Sequence, residues 1–168
     1  MLRPFRDDDV VMLCELATDP YVPLIGSLPA LADELQALEF IARQHERLRS
    51  GVGYSFCIAD VEDGRALGTA GLWLRDLSSG RATVGYTVAP SARRRGVATK
   101  ALRALTSFGW TIPELRRIEL YVEPWNTGSV RVAECVGYRR EGLLRGHQPI
   151  GGRQADMLLY AKLRPRRT

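Results

Sequence analysis

The residues best suited to chemistry in this chain lie at Arg93-Arg94-Arg95-Gly96-Val97-Ala98-Thr99, directly after Val88-Ala89-Pro90-Ser91-Ala92. A β-like segment ends at Ala89, a polar turn follows, and a helical pattern begins within the arginine run. The first turn of a helix leaves several backbone N–H groups without intrahelical partners, at the positive end of the helix dipole. Such a terminus holds anions, phosphates above all. Gly96 lets the backbone come close to a ligand, and Ala98 keeps the approach clear of bulk. Arg93, Arg94 and Arg95 add charge at the rim. By itself the R-x-x-G-x-A spacing fits a solvated basic helix start as well as a pyrophosphate cradle. It is not a Walker loop, because the glycine spacing differs and Lys100 is followed by Ala101.

A second constellation runs from Glu119 to Tyr138: a strand, a kink at Pro124, and a short helix ending in Gly137-Tyr138. Asn126 or Thr127 can cap that helix, and Ser129 offers a hydroxyl. Glu119 and Tyr121 lie two residues apart on one strand face, with Glu123 on neighbouring sequence. On their own these read as a cap, a surface hydroxyl and strand carboxylates of the kind found more often in salt bridges than in catalysis. Cys135 reads as a buried packing thiol.

The elements that must position these groups follow from hydrophobic periodicity and turn residues. Leu2–Phe5 predicts a strand, and Asp7 or Asp8 can cap a helix through Leu13, Leu16 and Ala17. Asp19–Pro29 holds three prolines and a glycine and predicts an ordered loop rather than a helix or strand. The helix predicted over Leu31–Arg49 places Leu35, Leu38, Ile41, Ala42, His45 and Leu48 on or near one face. Strands follow at Tyr54–Asp60, Ala66–Arg75 and Ala82–Ala89, joined by short turns as an antiparallel meander. Helix Arg94–Thr111 carries Ala98, Ala101, Leu102, Leu105 and Phe108 as its buried stripe, and Pro113 stops it. Strand Arg117–Val122, helix Thr127–Val136 and a closing hairpin, Tyr138–Arg145 with Gln154–Leu163, complete the chain. This order predicts one domain over residues 1–168, of α/β (α+β) class. Its core is a mixed, mostly antiparallel sheet of about seven strands with helices on both faces.

Composition narrows the function classes. The chain has 168 residues, 45% hydrophobic and 26% charged, as expected of a globular protein with a proper core. No apolar run approaches the roughly 18 residues of a membrane span, and Met1–Arg6 does not resemble a signal peptide. Three scattered cysteines, Cys14, Cys57 and Cys135, suggest reduced thiols and a cytoplasmic setting. They form no CxxC pair, and His45 and His147 are isolated, so no metal site is expected. Residues 1–89 carry 8 Arg against 13 acidic residues, whereas residues 90–168 carry 16 basic against 6 acidic. The basic half calls for an anionic partner.

Together the two constellations resemble the GNAT acetyltransferase superfamily, and within it the Rim-type branch of ribosomal-protein N-terminal acetyltransferases. The resemblance rests on the R-x-x-G-x-A turn after a strand ending Val-Ala-Pro. It rests also on N-x-x-S-x-R-V-A-E-x-x-G-Y from Asn126 and on Glu141-Gly142-Leu143-Leu144-Arg145, in family order, over about Leu2 to Leu163. It implies a GNAT fold whose strands ending at Val88 and Val122 splay into a notch for the pantetheine arm of acetyl-CoA. Backbone at Val88 would pair with that arm. The amides of Arg94, Arg95, Gly96, Val97, Ala98 and Thr99, with Arg93 nearby, would hold the pyrophosphate. Asn126 would contact the pantetheine region, and Arg131 would sit near the adenosine end.

The reaction implied is direct attack of a primary amine on the thioester, the acceptor being a peptide N-terminus or a small-molecule amine. Many relatives place a tyrosine acid where this chain has Ala133, and a strand glutamate where it has Thr83. Ser129 is the expected acid, as in the Rim-type branch. Glu119 acting through water is the expected base, with Tyr121 at a second family position. Tyr21, Trp73 and Trp125 could wall the acceptor pocket. Those two departures also motivate an alternative, a catalytically silent CoA-binding protein of the same fold. The basic clusters, Arg164–Arg167 among them, lack the interleaved aromatics of single-strand binders, which argues against nucleic acid. No membrane partner is expected, and the oligomeric state is monomer or homodimer.

Overall fold

The structure, a computed structural model, describes residues 1–165. Seven strands build one sheet: β1 (Leu2–Arg3), β2 (Gly53–Ala59), β3 (Ala66–Trp73), β4 (Arg81–Val88), β5 (Arg117–Val122), β6 (Arg139–Ile150) and β7 (Arg153–Leu163). Their order is β1-β2-β3-β4-β5-β7-β6, antiparallel throughout except where β4 meets β5. Five helices complete it: α1 (Val10–Ala17), α2 (Val22–Ile25), α3 (Glu34–Arg49), α4 (Val97–Gly109) and α5 (Thr127–Cys135). Strand alternation sends Tyr54 and Phe56 of β2 against Phe108 of α4, and Ser55 between them towards Gln44 of α3. Helices therefore cover both faces, and the core fills both interfaces. Among the described residues no helix is long and apolar enough to cross a membrane. Arg166 and Arg167 of the terminal basic cluster lie outside the described residues.

Four expectations need correction. The Asp19–Pro29 loop contains the short helix α2, because Pro23 falls in a first turn where no N–H is required of it. Helix α3 begins at Glu34, where Asp33 and Gln36 form a capping box. It buries Ala37, Phe40, Ile41 and Gln44, while Leu35 and Leu48 are exposed, so the buried stripe is rotated from the expected one. Helix α4 starts at Val97 rather than Arg94, because Arg94 and Gly96 both adopt positive φ (61° and 72°). Cys135 is exposed, and the buried thiol is Cys57. The closing hairpin turns at Gly151-Gly152, whose φ of 57° and 79° match a two-residue primed turn.

The N-terminal strand is tied down by a buried ion pair. Arg3 donates to both carboxylate oxygens of Asp9, at 2.8 and 2.7 Å, and Asp9 also accepts the Arg6 N–H. Burial pushes the Asp9 carboxyl upward, but the guanidinium and the N–H outweigh it and hold it below its usual range.

Candidate active site

The site begins where the sheet fails to close. Strands β4 and β5 pair in parallel at only three positions, ending with Thr83 opposite Glu119. Beyond these the strands part while β4 runs on to Val88 and β5 to Val122. The Ala89 N–H donates to the Leu67 carbonyl at 2.9 Å, so Ala89 and, by alternation, Thr87 and Gly85 turn their backbone groups to β3. The N–H and C=O groups of Tyr86 and Val88 therefore face the gap.

At the outer end of the gap stands an anion cradle. The positive φ at Arg94 and Gly96 curls the backbone so that successive amides point into one concavity, which runs into the first turn of α4. The first intrahelical bond accepted by Gly96 comes from Lys100 at 3.1 Å, which leaves the Val97, Ala98 and Thr99 amides without helical partners. A Cβ on Gly96 would meet nothing within 4 Å, so the cradle is open. The loop is held from below by α1, since Glu15 accepts the Ser91 N–H at 2.7 Å and the Ser91 hydroxyl at 3.0 Å.

Arg93 does not point into the cradle. Its Nε donates to the Val88 carbonyl at 3.0 Å, and its Nη2 reaches Asp19 at 2.5 Å. Asp19 in turn accepts the Tyr21 and Val22 N–H groups at the start of α2. One side chain thus links the gap to the loop on the far face.

On that far face lies a cleft of about 630 Å³ between α2, α3 and the centre of the sheet. Its floor is the Trp73 indole, which lies over Gly71 and Gly85; a Cβ on either would come within 2.9 and 3.2 Å of the ring. At the gap end the lining includes Tyr21, Tyr121, Glu123, Asn126 and Ser129. Glu123 is buried. Its Oε1 accepts from Arg153 at 3.1 Å, and its Oε2 has no hydrogen-bond partner. Burial first, and then the Glu123 carboxylate, push the Tyr21 hydroxyl well above its ordinary value, so it stays protonated. Tyr21 meets Trp125 edge to face, with centroids 4.9 Å apart.

A cleft on one side of a split sheet and a concavity of unpaired amides on the other could hold two substrates at once, and comparison with known proteins gives the family. The Acetyltransferase (GNAT) domain family matches residues 1–139. The chain belongs to the GNAT acetyltransferase family. An uncharacterised N-acetyltransferase, p20 of Bacillus licheniformis, is 31% identical over 163 residues, covering 97% of this chain and 92% of p20. Among solved structures, RimJ of Mycobacterium smegmatis in complex with CoA-disulfide superposes with a TM-score of 0.79 at 30% identity, covering 96% of this chain and 80% of RimJ. RimL, a ribosomal L7/L12 acetyltransferase in complex with coenzyme A, shares the fold with a TM-score of 0.81 at 17% identity, over 96% of this chain and 92% of RimL. The chain is an acyl-CoA-dependent N-acetyltransferase.

The GNAT features foreseen from sequence fall in three groups. Val88 and the Arg94–Thr99 backbone line the gap and cradle, and Asn126 and Ser129 line the cleft. The Asn126 side chain also accepts the Ser129 N–H at 3.1 Å, so it caps α5 and faces the cleft at once. Arg131 is exposed on α5. Glu119, the expected base, lies apart from the cleft lining. Its carboxylate is held by Arg117 at 2.6 Å and by the Tyr121 hydroxyl at 2.8 Å, with Arg81 at 4.0 Å. Burial and that carboxylate raise Tyr121 to about 12. Of the three aromatic walls, Trp73 and Tyr21 line the cleft and Trp125 stands exposed at its mouth.

Two groups escaped the sequence reading. Alternation puts Glu123 and Glu119 on one face, and nothing local reveals that both are ion-paired while only Glu123 keeps an oxygen without a partner. Tyr86 had no signal beyond inward alternation on β4. Its hydroxyl is buried beside Ser129 without a hydrogen-bond partner, and burial raises it above the usual phenol range.

Proposed function

We propose that this GNAT enzyme moves an acetyl group from acetyl-CoA to a primary amine by direct attack in a ternary complex. The acceptor is a peptide N-terminus or a small-molecule amine. The observation that carries the reading is the gap between β4 and β5, with the cradle at one end and Glu123 and Ser129 at the other. The amides of residues 94–99 bind the pyrophosphate. The pantetheine arm pairs with backbone at Val88, displacing the Arg93 side chain from the Val88 carbonyl. Asn126 lines the same channel, and exposed Arg131 serves the adenosine end.

Glu123 takes the role that the sequence reading gave to Glu119. Glu119 is already committed to Arg117, Arg81 and Tyr121, whereas Glu123 has an unpartnered oxygen in the cleft. It receives the ammonium proton, and the amine nitrogen then attacks the thioester carbon. The Val88 or Tyr86 N–H polarises the carbonyl oxygen as negative charge develops on it. As the C–S bond breaks, the Ser129 hydroxyl, backed by the protonated Tyr86, gives its proton to the leaving thiolate and regains one from the nitrogen, which sheds it on becoming an amide.

Isothermal titration with acetyl-CoA tests the cofactor half on the wild type, Gly96→Asp and Gly96→Asn. Asparagine tolerates positive φ, so Gly96→Asn is expected to bind within a few-fold of wild type. Gly96→Asp puts a carboxylate at the phosphates and is expected to lose at least about 100-fold, or roughly 2.7 kcal/mol. Equal binding by all three would remove the cradle from the reading. Cofactor binding without thiol release on any amine would favour the catalytically silent alternative.

A further inference from the structure

The gap end of the cleft is acidic, and its opposite end is the reverse. Arg47 of α3 and Arg75, just past β3, both line the cleft there. Neither forms a salt bridge among the described residues, although eight other arginines do: Arg3, Arg43, Arg49, Arg65, Arg81, Arg93, Arg117 and Arg153. Arg47 is half-buried, and burial together with the neighbouring Arg75 lowers its pKa; no carboxylate acts on it in the other direction. Asp76 also lines this end, but it lies 3.9 Å from Arg81.

Arg47 is held in place rather than free in solvent. Its Nη1 donates to the Ser55 hydroxyl at 3.2 Å, and Ser55 donates to Gln44 Oε1 at 2.9 Å. Gln44, buried, is fixed by its own donation to the Phe40 carbonyl at 3.1 Å. The guanidinium stands 5.1 Å from the centre of the Trp73 ring. That chain of contacts fixes a positive charge over the cleft floor with N–H groups to spare.

At the gap end, the unpartnered Oε2 of Glu123 is the complementary group. Ser55, Gly71 and Gly85 are in register on β2, β3 and β4, and β5 lies one strand further. Strands are spaced about 4.8 Å apart when paired, so two to three spacings, widened where β4 and β5 part, put the two charged ends at least about 10–14 Å apart.

Resting on the acetyl-transfer reading, we propose that the acceptor carries an anion, carboxylate or phosphate, at least about 10–14 Å from its reactive amine, and that Arg47 and Arg75 bind that anion. The ammonium goes to Glu123 and the anion to the arginine pair, so the molecule lies along the Trp73 floor. An extended peptide of three or four residues with an acidic side chain meets the length at about 3.3 Å per residue. So does an aminoalkyl phosphate.

The test uses the full chain with two acceptor pairs. The first pair is Ala-Gly-Gly-Asp amide against Ala-Gly-Gly-Asn amide, and the second is aminohexyl phosphate against aminohexanol. Calorimetric binding in the presence of coenzyme A needs no turnover and is read alongside thiol release with acetyl-CoA. The wild type is expected to prefer the anionic member of at least one pair by tenfold or more, and that pair identifies the source of the anion. Arg47→Gln and Arg75→Gln should each reduce the ratio to about threefold or less. Arg47→Glu should favour Ala-Gly-Gly-Lys amide over the Asp peptide. Equal binding within both pairs overturns the anion subsite, whatever the turnover. A retained preference without thiol release on any acceptor would instead count against acetyl transfer and leave the subsite standing.

Discussion

Replacing Glu123 by glutamine separates a catalytic carboxylate from a structural one. The side chain is 2% exposed, and its ion-pair partner Arg153 is 67% exposed. A pair so open to solvent on one side contributes at most about 1 kcal/mol. Against that stands Oε2, buried without a partner, at a cost of about 1–3 kcal/mol. Glutamine removes the charge while keeping the shape, so stability should hold or rise by up to about 2 kcal/mol. For a chain of this size that corresponds to roughly 4–8 °C in Tm. Loss of the proton acceptor should cost about 10²–10³ in kcat/KM on the best amine found by screening. Acetyl-CoA binding should not change, because Glu123 lies on the acceptor side. The assays are thiol release, calorimetry with acetyl-CoA, and a thermal melt on the same preparation. Activity within threefold of wild type would refute the assignment. A Tm lowered by more than about 5 °C would show that the carboxylate holds the fold instead.

Three further outcomes follow from the same contacts. Ser129→Ala should lower kcat about 100-fold and Tyr86→Phe about tenfold, with Tyr86→Phe no less stable in urea, since it removes a buried hydroxyl without a partner; additive losses in the double variant would contradict a shared proton path. Gly85→Ala sets a methyl against the Trp73 ring and should cost about 1–3 kcal/mol in denaturant titration, together with a weakened acceptor KM. The Asp9 carboxyl, held below its unfolded value, contributes stability that is full above about pH 4 and lost as pH falls through the folded value. Asp9→Asn should flatten that part of the acid-unfolding curve and cost about 3–5 kcal/mol at neutral pH by leaving Arg3 buried without its partner.

How much was legible in the sequence depends on whether a local rule sufficed. The meander and the closing hairpin rest on alternation and turn residues, and both are found, although β6 runs on to Ile150, five residues past the expected Arg145. The α3 stripe was misplaced because Leu35 and Leu48 are hydrophobic yet exposed, while the buried polar Gln44 carries the contact to Ser55. Periodicity counts apolar residues and is blind to a satisfied amide. The start of α4 was read three residues early because positive φ at Arg94 is invisible in a residue that ordinarily avoids it. In the site, the cradle was legible because it is made of consecutive backbone. The choice between Glu119 and Glu123 was not, because it turns on arginines from β4, β5 and β7.

The three-position ladder between β4 and β5 has a consequence for the protein before it meets its cofactor. Unpaired strand backbone invites another strand, and sheets normally keep such edges at the periphery, where charge or bulges blunt them. Here Tyr86 and Val88 on one side and the end of β5 on the other present such an edge in the interior of the sheet. On the acetyl-CoA reading proposed above, the pantetheine arm with its two amides is the strand that would fill it. On that reading, newly made protein short of coenzyme A would carry an adhesive seam, and the cofactor would act on it as a chaperone does, closing the sheet against self-association.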